Sequence, residues 1–423
     1  MDIESDIDIR NVTEDELSAW GLAMDVGFLR VPDYTKEIRA QWGDYLREVV
    51  DIDRTQGAFD GAAIVGTFRS WPGEIALPGG ASVPMSAVTN VTVSATHRRR
   101  GLLTRMMRAD LDASAARGEA MAILIAAEYN IYGRFGFGPA TDYSLYRVDL
   151  AHARLTDAEL AHKEPGGRIE LVSPETMTEL GPDIHEEFRR RTPGAITRRW
   201  MWWPFYTAVR QRPGGKAVDH RFYAVYRDPA GVPTGYLAYR IDEQWDDFVP
   251  KATLHADQLI ANSRAAEAAL WEYATQVDYV VRIHAGERPG DDLLPQRFTN
   301  PRAVTWDSAR DFVWVRLLDV PAVLGARTYA VSGRLVLEVE DAMGYAAGRY
   351  VLEGGPEGAS CARTDEPAEL VLGVDALGSL SLGGGSAVRL AEAGAINELI
   401  PGAVARAEVM FRTARAPWCP DWF

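Results

Sequence analysis

The segment VTNVTVSATHRRRGLLTRMMRADLDASAARG, Val88 to Gly118, carries the residue types and spacing best suited to hold an anion. Val88, Val91 and Val93 form a β-branched run. Thr96 and His97 lead into Arg98, Arg99, Arg100 and Gly101. Beyond them Leu103, Met107 and Leu111 recur every four residues, with Met106 beside them, as one face of a helix requires. A helix that opens in this way points unpaired N–H groups and the positive end of its dipole at a ligand. Gly101 allows close approach of the backbone, and arginines add charge-assisted hydrogen bonds. A solvated basic cluster is the plainer alternative. However, cations at a helix N-terminus oppose the dipole unless an anion is present. The turn is therefore predicted to bind phosphate.

Other constellations are sparse. His97 adjoins the basic turn, and the remaining histidines show no partner pattern. Cys361 and Cys419 lie in no nucleophile motif and are too few and too far apart for a disulfide framework or metal spacing. No metal is expected. The net charge of −15 disfavours nonspecific binding to nucleic acid or anionic lipid and suits cationic partners. The start MDIESDIDIR lacks an apolar h-region, and the apolar run Ala120 to Ala127 is too short to span a bilayer. A cytoplasmic protein with no membrane span is expected.

The elements that must position these residues fall into three regions. A chain of 423 residues exceeds one ordinary core, and its 47% apolar and 25% charged content is that of a globular protein. In the first region, residues 1–160, an amphipathic stretch around Glu14 to Phe28 precedes AAIVGTFRSWPGEIALPGG, which reads as a hairpin. A strand (Ala87 to Val93), the basic turn, a helix and a strand (Met121 to Ala127) complete an α/β unit. The second region, 161–315, repeats the order hairpin, strand, helix, strand. Its hairpin runs from Phe222 to Val225 and returns through Tyr236 to Tyr239. Where the first copy has THRRRGLL the second has ANSRAAEA, without the glycine. It reads as a duplicate that has lost its anion-binding turn. The third region, 316–423, is dominated by β-patterned runs (GRLVLEVED, GRYVLEGG, AELVLGVDALGSLSLGGG) before a short helix-like stretch.

The strand, basic turn and helix resemble the acetyl-CoA pyrophosphate site of the GNAT N-acetyltransferases. IYGRFGFGPAT resembles that superfamily's Tyr-x-x-x-Gly-Phe element, with Tyr132, Gly136 and Phe137 in the fixed places. SATHRRRGLLTRMM together with AEYNIYGRFGFGPAT is similar to the Eis (enhanced intracellular survival) family, aminoglycoside and lysine N-acetyltransferases of actinobacteria. Leu103, in place of the small residue of the general motif, agrees with the Eis pattern. The resemblance implies an α/β (α+β) fold: two tandem GNAT-like domains, the second degenerate, followed by a sterol-carrier-like α+β domain. It implies acetyl-CoA as co-substrate, held by Val91, Thr92 and Val93, by Arg98, Arg99, Arg100, Gly101, Leu102, Leu103 and Thr104, and by Ala127 and Glu128. It implies Tyr132 as general acid; Tyr129, three residues upstream, is the backup candidate and reads first as structural. It also implies the C-terminal carboxylate of Phe423 as general base, and a homo-oligomer, a hexamer.

The stretch APWCPDWF then acquires a purpose, because its prolines and tryptophans would fix the tip of the tail. The resemblance further implies an acidic and aromatic cleft for a small cationic amine. Asp33, Glu37, Trp42, Asp421 and Trp422 are the candidates, though each alone is an ordinary surface or packing residue. RRWMWWPFYTAV reads first as a helix packed on the second sheet and second as a substrate wall or an oligomer contact. Three functions stay open: acetylation of aminoglycosides or related polyamines, acetylation of protein lysines, and ligand binding with a vestigial acetyl-CoA site.

Overall fold

A computed structural model describes residues 7–31, 35–213 and 221–423 of the chain. The first sheet is built from β1 (Asp8–Asn11), β2 (Thr55–Asp60), β3 (Ala63–Ala76), β4 (Ser82–Val93) and β5 (Met121–Ile125), adjacent in that order. Helices α1 (Leu17–Gly27) and α2 (Lys36–Val49) precede β2, and α3 (Leu102–Ala116) joins β4 to β5. Strand side chains alternate between faces. Thus Ala58 enters the cluster beneath α3 with Met106, Met107 and Leu111, whereas adjacent Phe59 enters the cluster of α1 and α2 with Trp20, Met24 and Leu46. Burying each such Leu or Met side chain fully contributes about 1.5–3 kcal/mol.

The stretch predicted as a hairpin is one long strand, β3, continuous through Trp71, Pro72 and Gly73, and its hairpin partner is β4. Pairing with β2 ends at Arg69, so across Ser70 to Gly73 β3 has β4 as its ladder partner and an open second edge, before an antiparallel bridge from Ile75 to Ile196 closes that edge. A proline without an N–H is tolerated beside such an edge.

The second sheet has the order Val304–Asp311, Asp142–Asp149, Val280–Pro289, Ala252–Ala261, Pro233–Asp242, Phe222–Arg227, Arg168–Val172. The alanine-rich helix Arg264–Thr275 lies on it through Ala265, Ala266, Leu270 and Trp271. The sheets do not follow the limits expected at 160 and 315. Asp142–Asp149 pairs in the second sheet, while Val313–Leu317 returns to the first, between β5 and Gly138–Pro139. Each copy thereby holds a strand on the other's side of the expected boundary.

A third sheet orders Gly358–Arg363, Gly348–Gly355, Gly333–Glu340, Leu370–Gly373 and Ile396–Glu398. The run after Gly373, predicted as β, is instead a helix, Val374–Ser381, with almost every residue buried. An apolar run without alternation fits a buried strand or a buried helix equally well, and here tertiary burial decides. One core cluster runs from Trp71 and Val83 of the first sheet through Val315 to Leu377 and Met410, so the third domain shares the first domain's core.

Candidate active site

β4 pairs with β5 in parallel only at Met85, Ser86 and Ala87. From Val88 to Val93 the two strands diverge, so the β5 side of β4 has no ladder partner there. The other side stays bound to β3, reinforced by Thr67 Oγ1, which donates to Asn90 O at 2.8 Å and lies 2.7 Å from Thr92 Oγ1. Divergent strands with free backbone groups form a slot for an extended polar chain.

The slot runs into the basic turn. Arg99 and Gly101 both take left-handed conformations, at φ 64° and 73°. Gly101 is the N-cap of α3 and supplies no side-chain cap, so the first N–H groups of that helix face outward. A Cβ on Gly101 would meet nothing within 4 Å, which shows open space above the turn. Arg98, Arg99 and Arg100 are exposed around it. His97 is held by Asp60, Nε2 to Oδ2 at 3.0 Å, and by Thr96 at 2.8 Å, so it steadies the turn. The second copy differs at the equivalent place: Ser263 caps its helix, accepting from Ala266 N at 3.1 Å. That helix start is satisfied from within.

Tyr132 closes a one-turn helix, Tyr129–Tyr132, at the third side of the slot. It is buried in the cluster that holds Val88 and Leu102, against which Val91, Val93 and Leu103 pack. Burial pushes its phenol above the ordinary value, helped by the nearby charge of Glu128. Its hydroxyl has no hydrogen-bond partner among the described residues. Gly136 adopts φ 83°, and a Cβ there would lie 2.6 Å from Val374 Cγ1. Arg316, fully buried, donates from Nε to Phe135 O at 2.8 Å while bound to Asp341. The third domain therefore fixes the turn that presents Tyr132. Ala127 and Glu128 are exposed at the end of β5, and Tyr129 is exposed against Trp314.

Beside this slot lies a cavity of about 510 Å³. Its walls come from α1 and α2 (Met24, Trp42, Tyr45), from β3 (Arg69, Trp71), from β4 (Thr89, Asn90), and from Trp202, Phe205 and Tyr206. Trp422 and Phe423 complete it. The Phe423 ring stands edge-on to Trp71 with centroids 5.8 Å apart, and Trp71 in turn meets Trp202 at 4.7 Å. The tail is anchored before it arrives. Trp418 N donates to Pro193 O at 2.8 Å, and its indole donates to Glu287 O at 2.7 Å. Gln258 Nε2 donates to Pro420 O at 3.0 Å. Trp422 donates its indole N–H to the Glu287 carboxylate.

Among the predicted acceptor residues, Trp42 and Trp422 line the cavity. Glu37 is exposed on α2 and away from the lining. Asp33 lies outside the described residues. Asp421 is buried and committed elsewhere: Arg198 Nε donates to it at 2.8 Å and His185 Nε2 at 2.9 Å. Burial would raise its carboxyl, but Arg198 and His185 outweigh that and hold it at about 2. Burial and Arg198 keep His185 below its usual value. Asp421 thus fastens the tail and does not face a ligand.

The aromatic segment divides its roles. Trp203 packs against the second sheet, while Trp202, Phe205 and Tyr206 turn to the cavity. Sequence reasoning missed Tyr45, Arg69 and Trp71. A cation in the middle of a buried strand run, Phe68-Arg69-Ser70-Trp71, was the available signal.

Comparison with known proteins agrees with this architecture. Residues 8–140 and 194–317 each match an acetyltransferase (GNAT) domain, and residues 320–420 match a sterol carrier protein domain. The chain is 46% identical to an uncharacterized N-acetyltransferase of Streptomyces avermitilis, over the full length of both. It is 35% identical to N-acetyltransferase Eis of Mycobacterium bovis, over 80% of each chain. The crystal structure of Eis1 from Mycobacterium abscessus superimposes with a TM-score of 0.83 at 31% identity, covering 98% of this chain and all of that one. Among the described residues no helix is long and apolar enough to cross a membrane, and no cluster of side chains has the make-up of a metal site. With two GNAT domains, a sterol-carrier-like third domain and this degree of identity, the chain belongs to the Eis family of N-acetyltransferases.

Proposed function

We propose that the chain transfers an acetyl group directly from acetyl-CoA to an amine bound in the aromatic cavity. The observation that carries this reading is the continuity of one surface. The unpartnered edge of β4 leads into the uncapped, basic start of α3, and the same strand, at Thr89 and Asn90, walls the cavity that holds Phe423. Acetyl-CoA fits those features: the free strand edge suits its amide-bearing arm, and Gly101 with Arg98, Arg99 and Arg100 suits its pyrophosphate. It supplies the activated acyl group.

The chain's own residues supply the rest. With Phe423 as the last residue, its α-carboxylate takes the proton from the incoming ammonium, and the amine nitrogen forms the new bond to the carbonyl carbon. The carbon–sulfur bond breaks, Tyr132, kept protonated by burial, gives its proton to the departing sulfur, and the second proton of the acylated nitrogen returns to the Tyr132 oxygen, leaving the neutral amide. A covalent acyl-enzyme is disfavoured because burial pushes the Cys361 thiol up to about 12 and that of Cys419 well above its usual value. The family resemblance supports a hexameric, cytoplasmic enzyme, and sedimentation tests the hexamer. Release of thiol from acetyl-CoA is measured with kanamycin-like aminoglycosides, simple amines and a lysine peptide. Thiol release with at least one is expected. Silence with all would return the chain to a ligand-binding role.

A further inference from the structure

Arg69 is a cation without a counter-ion among the described residues. It lies in the middle of β3, is 9% exposed, and lines the aromatic cavity together with Trp71, its neighbour on the same strand face. Its buried Nε has no hydrogen-bond partner, and the guanidinium forms no ion pair with any described residue. The nearby carboxylate of Asp51 is already taken by Arg199, at 2.8 and 3.3 Å. Tyr45 is a further titratable neighbour, and Arg199 and Arg212 add positive charge. Burial lowers Arg69 to about 10, which still leaves it protonated at neutral pH.

An isolated buried charge costs several kcal/mol and persists where something compensates it. No carboxylate side chain is present among the described residues lining this cavity; its other cations are Arg30, offset by Asp25 at 3.6 Å, and Arg212. Phe423 also lines the cavity, and among the described residues no ion pair joins it to Arg69. No described residue supplies the partner, so the guanidinium is left open to one that arrives from solution. Resting on the acetyltransferase reading above, we infer that the acceptor carries an oxyanion as well as its amine. Arg69 binds that oxyanion, a carboxylate or a phosphate, while the amine reaches the thioester side of β4. Trp42, Tyr45, Trp71 and Phe205 give the body of the acceptor an aromatic or apolar character. A polycation would meet Arg69 as a repulsive charge and leave the guanidinium unpaired.

The test compares matched acceptors in the thiol-release assay: phenylalanine against phenethylamine, and an aminoalkyl phosphate against its alcohol. The anionic member of at least one pair is expected to show kcat/KM about 10-fold or more above its neutral-tailed partner. Which pair shows it separates carboxylate from phosphate. Arg69→Met is expected to erase the preference and Arg69→Lys to keep part of it. The melting temperature should hold or rise in Arg69→Met, because an unpaired buried charge is removed. A fall in melting temperature with the preference intact would make Arg69 structural and overturn the inference. So would a preference for phenethylamine or polyamines unaffected by Arg69→Met, an outcome that leaves the acetyltransferase reading standing. Silence with every amine would instead fail the acetyltransferase reading. Calorimetric titration of the same pairs then decides for Arg69, since binding of the acids that Arg69→Met does not weaken overturns the anion site.

Discussion

Arg198 and Asp421 meet with Nε 2.8 Å from Oδ1, both side chains buried, in a contact that ties the connection between strands Arg168–Val172 and Phe222–Arg227 of the second sheet to the tail. Tyr236 and Gln258 also accept from the guanidinium, at 3.3 and 3.2 Å, and His185 completes the shell of the carboxylate. Removing one partner from such a pair leaves the other buried and unpaired, at a cost of about 3–5 kcal/mol. Asp421→Ala is expected to lose that much in denaturant unfolding, and its activity should fall as the tail loosens. The double variant Arg198→Met with Asp421→Leu should recover most of the stability. The pH dependence has a definite sign. Asp421 is held at about 2 in the fold against an ordinary 3.8, so its contribution is complete above about pH 4 and drains away as pH falls towards 2. Asp421→Asn should flatten that part of the stability profile.

The same anchoring makes Phe423 testable. Its ring is packed against Trp71, and the residues before it are held by bonds that do not involve its own carboxylate. Deleting Phe423, or extending the chain beyond it, should therefore leave the fold and acetyl-CoA binding largely intact while lowering kcat. A loss of about 10²–10⁴ is expected for a general base. Normal turnover by an extended chain, its tail verified by mass spectrometry, would remove the carboxylate from the mechanism.

For Tyr132 the useful fact is the absence of a hydrogen-bond partner for its hydroxyl among the described residues. Tyr132→Phe keeps the ring in its cluster beside Phe137 and leaves no buried partner unsatisfied. Stability should shift by less than the ~1 kcal/mol of a typical hydrogen bond, because none is lost. Turnover should fall about 10²-fold or more, with the loss in kcat rather than in KM for acetyl-CoA. An unchanged kcat would leave Tyr132 as a packing residue.

How much of this was readable beforehand depended on whether local sequence or distant packing decides. The helix α3 and its basic turn were legible because Leu103, Met107 and Leu111 carry a helical period into an arginine cluster. The second copy's loss of the turn was legible for the same reason, and Ser263 now gives it a mechanism. The acceptor cavity was not, since it gathers side chains from α1, α2, β3, β4, the Trp202 segment and the tail. Asp421 illustrates the difficulty: its sequence neighbours suggested a ligand contact, but Arg198 and His185, more than two hundred residues away, claim it. Arg69 shows in the sequence only as a cation within an apolar strand run; the long-range pairing that buries it beside the cavity is not written in that run.

The two helix starts offer a paired experiment on the phosphate turn. Arg99 already sits at φ 64°, so Arg99→Ala adds no new kind of backbone strain, and its side chain is exposed. Removing a cation from a helix N-terminus should stabilise the free protein slightly, by up to about 1 kcal/mol. Loss of a charge-assisted bond to phosphate should raise KM for acetyl-CoA, by about 10-fold for a contact of 1.5 kcal/mol, with kcat changed less. In the second copy the signs reverse. Ser263→Ala deletes the cap that satisfies Ala266 N, so stability should fall by about 1 kcal/mol while KM for acetyl-CoA stays as it was. If Arg99→Ala leaves KM unchanged, or Ser263→Ala raises it, acetyl-CoA is not held where the first helix begins.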